Sequence, residues 1–229
     1  MKLSIIIPCY NEKDTLSLIL KKVKKVKLKN NLKKEIILID DFSTDGTREH
    51  IKKISNGIIK IFHERNLGKG AAVKSGIKKA SGDIIIIQDA DLEYNPEDYN
   101  KVVEPIINGI AKVVYGSRYL KRGNKYSHLS FLLGGLLVTF FTNILFFTKL
   151  TDEPTCYKTF HKEVIKNIKI DGNRFEWEPE VTAKILKKGI KIYEVPISYF
   201  PRTKKQGKKI NWKDGLQAIW TLFKYRFKD

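Results

Sequence analysis

Residues 84–93 read IIIIQDADLE: four isoleucines and a glutamine, then Asp89 and Asp91 one residue apart, then Glu93. Consecutive β-branched residues bounded by Gly82 and by acidic residues predict a strand over 84–88 that is buried on both faces. Two carboxylates just beyond a strand end can turn their oxygens onto one divalent cation, and hard oxygen ligands suit Mg²⁺ or Mn²⁺. Asp89, Asp91 and Glu93 are therefore the candidate metal ligands. An Asp-x-Asp pair also suits an ordinary turn, so the surrounding chain has to carry the reading.

Working outward, residues 3–7 (LSIII), 35–39 (EIILI) and 58–62 repeat the short apolar run. Amphipathic or helix-like stretches at 12–28 and 69–80 separate them. Pro96 after Asn95 opens a helix over 96–110, and 111–116 (AKVVYG) reads as a further strand that completes the sheet. Strands alternating with helices predict an α/β domain with a mostly parallel sheet flanked by helices. Functional residues should then gather at the carboxyl ends of the strands. Beyond Gly116 come an apolar segment, a mixed stretch 151–200 with a helix at 178–188, a basic loop 201–210 and a last helix at 212–228.

Three more stretches follow predicted strands: Ser4–Glu12 (SIIIPCYNE), Ile39–Thr47 (IDDFSTDGT) and Asn66–Ala72 (NLGKGAA). Together with Asp89-Ala90-Asp91 they resemble the family-two glycosyltransferases of GT-A (Rossmann-like) fold. The resemblance implies a nucleotide-sugar donor and roles in holding its nucleoside for Pro8, Tyr10, Glu12, Asp40 and Asp41, with Asp89, Ala90 and Asp91 at the diphosphate. Asp45 and Gly46 suit a turn and helix cap instead. Asn66–Gly70 lacks P-loop spacing, so its glycines are expected to permit close backbone approach, with Lys69 beside the diphosphate.

In the second half, Gly116-Ser117-Arg118, Asp152–Phe160 (DEPTCYKTF), Phe175–Glu180 (FEWEPE), Tyr193–Lys209 (YEVPISYFPRTKKQGKK) and 208–220 are similar to the polyprenyl-phosphate sugar synthases, the group that includes dolichol-phosphate mannose synthase. That likeness implies phosphate contacts for Arg118, Arg202 and Lys208, with Asp91, Arg118 and Arg202 as catalytic residues. Lys125 and His128 are the nearest candidates for a further acceptor-phosphate contact. This chain has Glu93 where the mannose synthases commonly carry Gln, which leaves the donor open between GDP-mannose and UDP-glucose types. A phosphate monoester is already ionised at neutral pH, so a polyprenyl phosphate acceptor needs no general base. Glu178 is the candidate base if the acceptor is instead a sugar hydroxyl of a glycan or glycolipid, although carboxylates at a helix start also suit the macrodipole.

The 229 residues carry 44 Lys+Arg against 25 Asp+Glu, a formal charge of +19, which favours anionic partners without choosing among them. The chain has no nucleic-acid recognition motif, so no nucleic-acid partner is expected. Two distant cysteines, Cys9 and Cys156, indicate neither a disulfide framework nor zinc. Met1 leads straight into an apolar strand without signal-peptide features, so a cytoplasmic enzyme, peripheral on the inner face of a membrane, is expected. Residues 127–148 hold no Asp, Glu, Lys or Arg and approach bilayer-spanning length. A crossing there would put Asp89 and Arg202 on opposite sides, so one or two interfacial helices are expected, with a buried core pair as the alternative. Leu216, Ile219, Trp220 and Phe223, with Lys213, Lys224, Arg226 and Lys228 nearby, predict a basic amphipathic helix on an anionic membrane surface. The expected layout is a GT-A domain over 1–210, containing the interfacial segment 127–150, and a C-terminal helix over 211–229.

Overall fold

The middle of the sheet is formed by the isoleucine-rich runs 5–7 and 84–87. In the computed structural model β1 (Lys2–Cys9) lies between β2 (Lys33–Asp40) and β4 (Ile84–Ile87), parallel to both. All four isoleucines of β4 are fully buried. Continuous apolar runs of this kind are what a parallel strand covered on both faces requires. The structure describes residues 1–228 except 55, 56, 127, 204–206, 208 and 210.

The remaining strands are β3 (Ile58–Phe62), β5 (Val113–Ser117), β6 (Lys158–His161) and β7 (Ile192–Pro196), giving a seven-stranded sheet in the order β3-β2-β1-β4-β6-β5-β7. Only β6 runs antiparallel, between β4 and β5. The sheet is therefore mostly parallel and flanked by helices, as expected. It does not end at Gly116, however. β6 wedges between β4 and β5, and β7 adds an outer edge parallel to β5. Both are too short, and drawn from too mixed a composition, to stand out by periodicity.

The helices are α1 (Lys13–Lys25), α2 (Thr47–Lys53), α3 (Lys69–Lys79), α4 (Tyr99–Ile107, after a single 3₁₀ turn at Pro96–Asp98), α5 (Leu129–Phe146), α6 (Lys162–Lys166), α7 (Trp177–Lys187) and α8 (Trp212–Phe227). Because β1–β5 and β7 share one direction, Cys9, Asp40, Phe62, Ile87, Ser117 and Pro196 all end at the same sheet edge. The last residues of those strands, the loops that leave them and the start of α3 carry every candidate site residue before Lys125, and the chain after β7 carries Arg202.

The apolar segment forms one 18-residue helix, α5, long and apolar enough to cross a membrane by length and composition. A crossing is incompatible with the sheet: β5 precedes α5 and β6 follows it, yet the two strands pair residue for residue. Nor is α5 a core helix. Val138, Thr139 and Thr142 face the protein, whereas Leu129, Leu133, Leu136, Leu137, Phe140 and Ile144 recur at helical spacing on an exposed face. α8 buries Thr221, Leu222 and Tyr225, packs Leu222 and Tyr225 with Val138 of α5 and Ala183 of α7, and leaves Trp212, Leu216, Trp220 and Phe227 exposed. The last helix is thus docked on the catalytic domain and still presents an apolar stripe.

Candidate active site

The edge is organised by carboxylates, nearly all of which the protein itself engages. At the end of β4, Asp89 pairs with the Lys69 ammonium at 2.9 Å, and the same ammonium reaches Glu178 Oε1 at 2.9 Å. Burial works against the charge on Lys69, but Asp89 and Glu178 outweigh it and hold its pKa well above the usual lysine range. Burial likewise raises Glu178, with Lys69 opposing the rise. Asp91 accepts from Arg202 Nη2 at 2.8 Å. Burial and the charges of Asp89 and Glu93 push the Asp91 carboxyl up to about 7 against the pull of Arg202.

Glu12 receives Arg202 Nη1 at 3.1 Å and Lys209 Nζ at 2.8 Å, and Lys209 also reaches the Tyr10 carbonyl. Pro8 is the penultimate residue of β1, and Tyr10 is partly exposed beneath the Lys209 ammonium. Glu93 ties down the chain after β7, accepting from Arg202 N at 2.6 Å and Tyr199 Oη at 3.1 Å. Ala90 is buried between the two aspartates.

The Asp40–Asp41 pair is also committed internally. Asp40, fully buried, accepts from Arg48 Nη1 at 3.1 Å and Ser43 N at 3.3 Å. Asp41 accepts from His63 Nδ1 at 2.7 Å, Leu67 N at 2.9 Å and Gly68 N at 2.7 Å. Three of the four or so acceptor positions of an ionised carboxylate are filled, which leaves Asp41 one for a ligand donor. Beyond β5, Arg118 forks onto Asp152 through Nε (2.7 Å) and Nη2 (2.6 Å), with its guanidinium 5.2 Å from the Tyr199 ring centroid. Asp152 is in turn fixed by its own N–H on Glu194 of β7. His128 caps α5, accepting from Ser130 N, and Lys125 is exposed on the approach to that helix. Lys208 lies outside the described residues, as do Lys204 and Lys205.

The glycines of 66–70 do permit close backbone approach, but what approaches is this protein. A Cβ on Gly70 would stand 2.6 Å from the Gly172 carbonyl oxygen, and one on Gly68 2.5 Å from that of Asn173. Ala71 N donates to Asn173 O, closing the contact. His63, Ser75, Asp152 and Glu194 were not singled out as site residues from the sequence. DEPTCYKTF contained Asp152, but the residue it serves lies 34 positions away.

Among the described residues no three His, Cys, Asp or Glu side chains converge as a ready-made metal cage. The donor chemistry still fits a hard cation. Asp89 and Asp91 are two carboxylates each held by a mobile-headed cation, and Mg²⁺ or Mn²⁺ characteristically takes one or two carboxylates and completes its shell with phosphate oxygens and water. Arg202 occupies the place such a cation would need on Asp91. Arg202→Ala is therefore expected to tighten Mn²⁺ binding in the absence of nucleotide by roughly 3- to 10-fold, read by electron paramagnetic resonance of free Mn²⁺, while impairing transfer. Unchanged or weaker Mn²⁺ binding would count against this picture.

The sequence from 4 to 169 matches the family model described as glycosyl transferase family 2. The chain belongs to that family. This glycosyltransferase is 30% identical over 236 aligned positions to the dolichol-phosphate mannosyltransferase of Pyrococcus furiosus, an alignment covering 98% of this chain and 64% of that protein. It is 31% identical over 217 positions to the UDP-N-acetylglucosamine–dolichyl-phosphate N-acetylglucosaminyltransferase of Methanococcus voltae, covering 84% of this chain and 83% of the relative. Among solved structures, glucosyl-3-phosphoglycerate synthase from Mycobacterium tuberculosis in complex with Mn²⁺, UDP and glucosyl-3-phosphoglycerate superposes with a TM-score of 0.72 at 19% identity, over 98% of this chain and 79% of that one. That likeness is one of fold: the glycosyltransferase has the GT-A architecture.

Proposed function

We propose that this glycosyltransferase moves a hexose from a nucleoside diphosphate sugar, of GDP-mannose or UDP-glucose type, to a polyprenyl or dolichyl phosphate at the cytoplasmic surface of a membrane. One observation carries the reading: the sheet edge that bears Asp89, Asp91, Arg202 and Arg118 is continuous in the chain with α5, whose exposed residues from Leu133 to Ile144 are all apolar. The Arg118 loop leads into that helix, and the Asp152 loop leads out of it, with Glu153 N donating to Thr139 of α5 at 3.0 Å. The names of the two relatives, one a dolichol-phosphate mannosyltransferase and the other a dolichyl-phosphate N-acetylglucosaminyltransferase, support the acceptor class.

The exposed stripes of α5 and α8 form the surface on which the enzyme would rest. Isolated apolar side chains are ordinary on soluble proteins, but two packed helices that both present leucine and phenylalanine outward, with Trp212 and Trp220 added on α8, are not. Lys213, Lys224 and Arg226 on α8 would add attraction to anionic lipid headgroups. An isoprenoid tail in that layer would bring its phosphate to the Arg118 side of the site.

In the transfer, an acceptor phosphate oxygen forms a bond to the anomeric carbon as the bond from that carbon to the diphosphate breaks, and the nucleoside diphosphate leaves with the electron pair. The acceptor is already ionised, so no proton has to be removed. Arg202, once off Asp91, and Arg118 are the guanidinium groups positioned for the two phosphates. A bound Mg²⁺ or Mn²⁺ on Asp89 and Asp91 would supply charge neutralisation to the leaving diphosphate. A single displacement inverts the anomeric configuration. Transfer to a sugar hydroxyl is less well supported, because Glu178, the candidate base, is held by the Lys69 ammonium.

The test is an assay with Mn²⁺ and a panel of GDP- and UDP-sugars against a short polyprenyl phosphate, its unphosphorylated polyprenol and an oligosaccharide, followed by mass spectrometry. Product is expected on the phosphate alone, with the donor identified. Transfer only to polyprenol or oligosaccharide would sink the lipid-phosphate reading and leave the family intact.

A further inference from the structure

His63 lies at the end of β3, 8% exposed, in none of the stretches that carry the family resemblance. Its own N–H donates to Asp40 O at 2.9 Å, which sets the ring beside the neighbouring Asp41. An ionised Asp41 only accepts, so Nδ1 carries the hydrogen of the 2.7 Å bond to Asp41 Oδ1. Nε2 then faces Ser75 Oγ of α3 at 2.9 Å, a hydroxyl that can donate to it. The imidazole is thus held at both nitrogens between strand and helix, as an orienting second partner holds a ligand side chain.

What Asp41 does with this support is visible on its other side. Its two oxygens receive the backbone N–H groups of Leu67 and Gly68, and its carbonyl receives Asn66 Nδ2 at 3.3 Å. These three residues are the turn that enters α3, and the next residue is Lys69, whose ammonium sits on Asp89 and Glu178. Hydrogen bonds therefore run from Ser75 through His63 and Asp41 to the 66–68 turn, and the chain continues from that turn directly into Lys69, the cation that neutralises the first carboxylate of the Asp-x-Asp pair.

We propose that His63 is a positioning residue for the donor site. By fixing the Asp41 carboxylate it holds the 66–68 turn, and through the turn it sets Lys69 against Asp89. The inference rests on the reading that Asp89 and Asp91 receive a metal–nucleoside diphosphate. Loss of the imidazole leaves Asp41 short of one donor in a buried place, so the carboxylate rotates to find another and the turn loosens.

The experiment measures the affinity of UDP and of GDP, each with Mn²⁺, by isothermal titration for the wild type, His63→Leu, His63→Asn and Lys69→Met, and for His63→Leu combined with Lys69→Met. Thermal melts are run on each. For whichever nucleotide the wild type binds, His63→Leu is expected to weaken binding about tenfold, and His63→Asn, whose amide can replace the Nδ1–H donor, to restore it to within about threefold. In the Lys69→Met background His63→Leu should add less than about twofold, because the path ends at Lys69. Full additivity in that cycle, or equal loss in His63→Leu and His63→Asn following their melting temperatures, makes His63 a merely structural residue and overturns the proposal. Wild-type protein that binds neither nucleotide refutes the donor-site reading beneath it, a different failure from wild-type binding that His63→Leu leaves unchanged.

Discussion

Asp91→Asn is expected to lower kcat/KM for transfer by about a thousandfold or more while leaving the fold in place. The two halves of this expectation have separate causes. In the folded protein Asp91 is an unfavourable charge: burial and the charges of Asp89 and Glu93 raise its carboxyl to about 7, against the pull of Arg202 and of the Glu93 backbone N–H. Neutralising it removes repulsion as well as attraction, and Arg202 keeps Glu12 as a partner. The melting temperature should stay within about 3 °C of the wild type. The proposed transfer, in contrast, calls for an anionic oxygen at this position to hold a cation against the departing diphosphate. Steady-state kinetics with a parallel thermal melt checks both; an active Asp91→Asn enzyme would remove the Asp-x-Asp pair from the chemistry.

Gly68→Ala carries the second large effect, this time on both stability and activity. Gly68 has φ of +99° with ψ of 164°, an extended positive-φ conformation nearly confined to glycine that costs a residue with a side chain about 1–3 kcal/mol. The added Cβ would also stand 2.5 Å from the Asn173 carbonyl oxygen, a backbone atom that cannot swing aside. Strain and overpacking together should cost about 2–4 kcal/mol, or roughly 5–15 °C in melting temperature for a chain of this size. Gly109→Ala is the control: its φ is +70°, but nothing lies within 4 Å of the added atom, so only the conformational penalty applies. Activity of Gly68→Ala should fall further than stability accounts for, since the displaced 172–174 loop leads into α7 and Glu178, and the displaced turn carries Lys69. Equal melting temperatures for the two alanine variants would show that the 68–173 contact is not tight.

The half of the fold built from local alternation was readable from the chain. Runs such as 3–7, 35–39 and 84–87 are buried on both faces and separated by amphipathic helices, so composition and period point the same way. β6 and β7 were not readable, because their identity as strands depends on partners far away: Lys158–His161 pairs with residues 43–47 and 73–77 positions earlier, and nothing in KTFH requires it. The position of the candidate site follows from strand direction, and Glu12, Asp91 and Arg202 do meet at one sheet edge, with Lys69 on Asp89. Their partners were not visible. Lys69 reads as a candidate for the diphosphate, yet its ammonium is shared between Asp89 and a glutamate 109 residues on. Arg118 reads as a phosphate ligand, and the structure adds the buried Asp152 that aligns it. Side-chain pairs across such separations leave no periodic trace.

The most direct test of the site is whether the Asp89–Asp91 pair exchanges its protein cations for metal and diphosphate. Mn²⁺ affinity would be measured by electron paramagnetic resonance with the wild-type protein alone, with UDP and with GDP, correcting for Mn²⁺ bound to free nucleotide. Because Lys69 and Arg202 already hold the two carboxylates, Mn²⁺ alone should bind weakly, and one of the nucleotides should strengthen binding by about tenfold or more in a manner lost in Asp91→Asn. Binding that ignores both nucleotides, or that survives Asp91→Asn unchanged, would contradict the account.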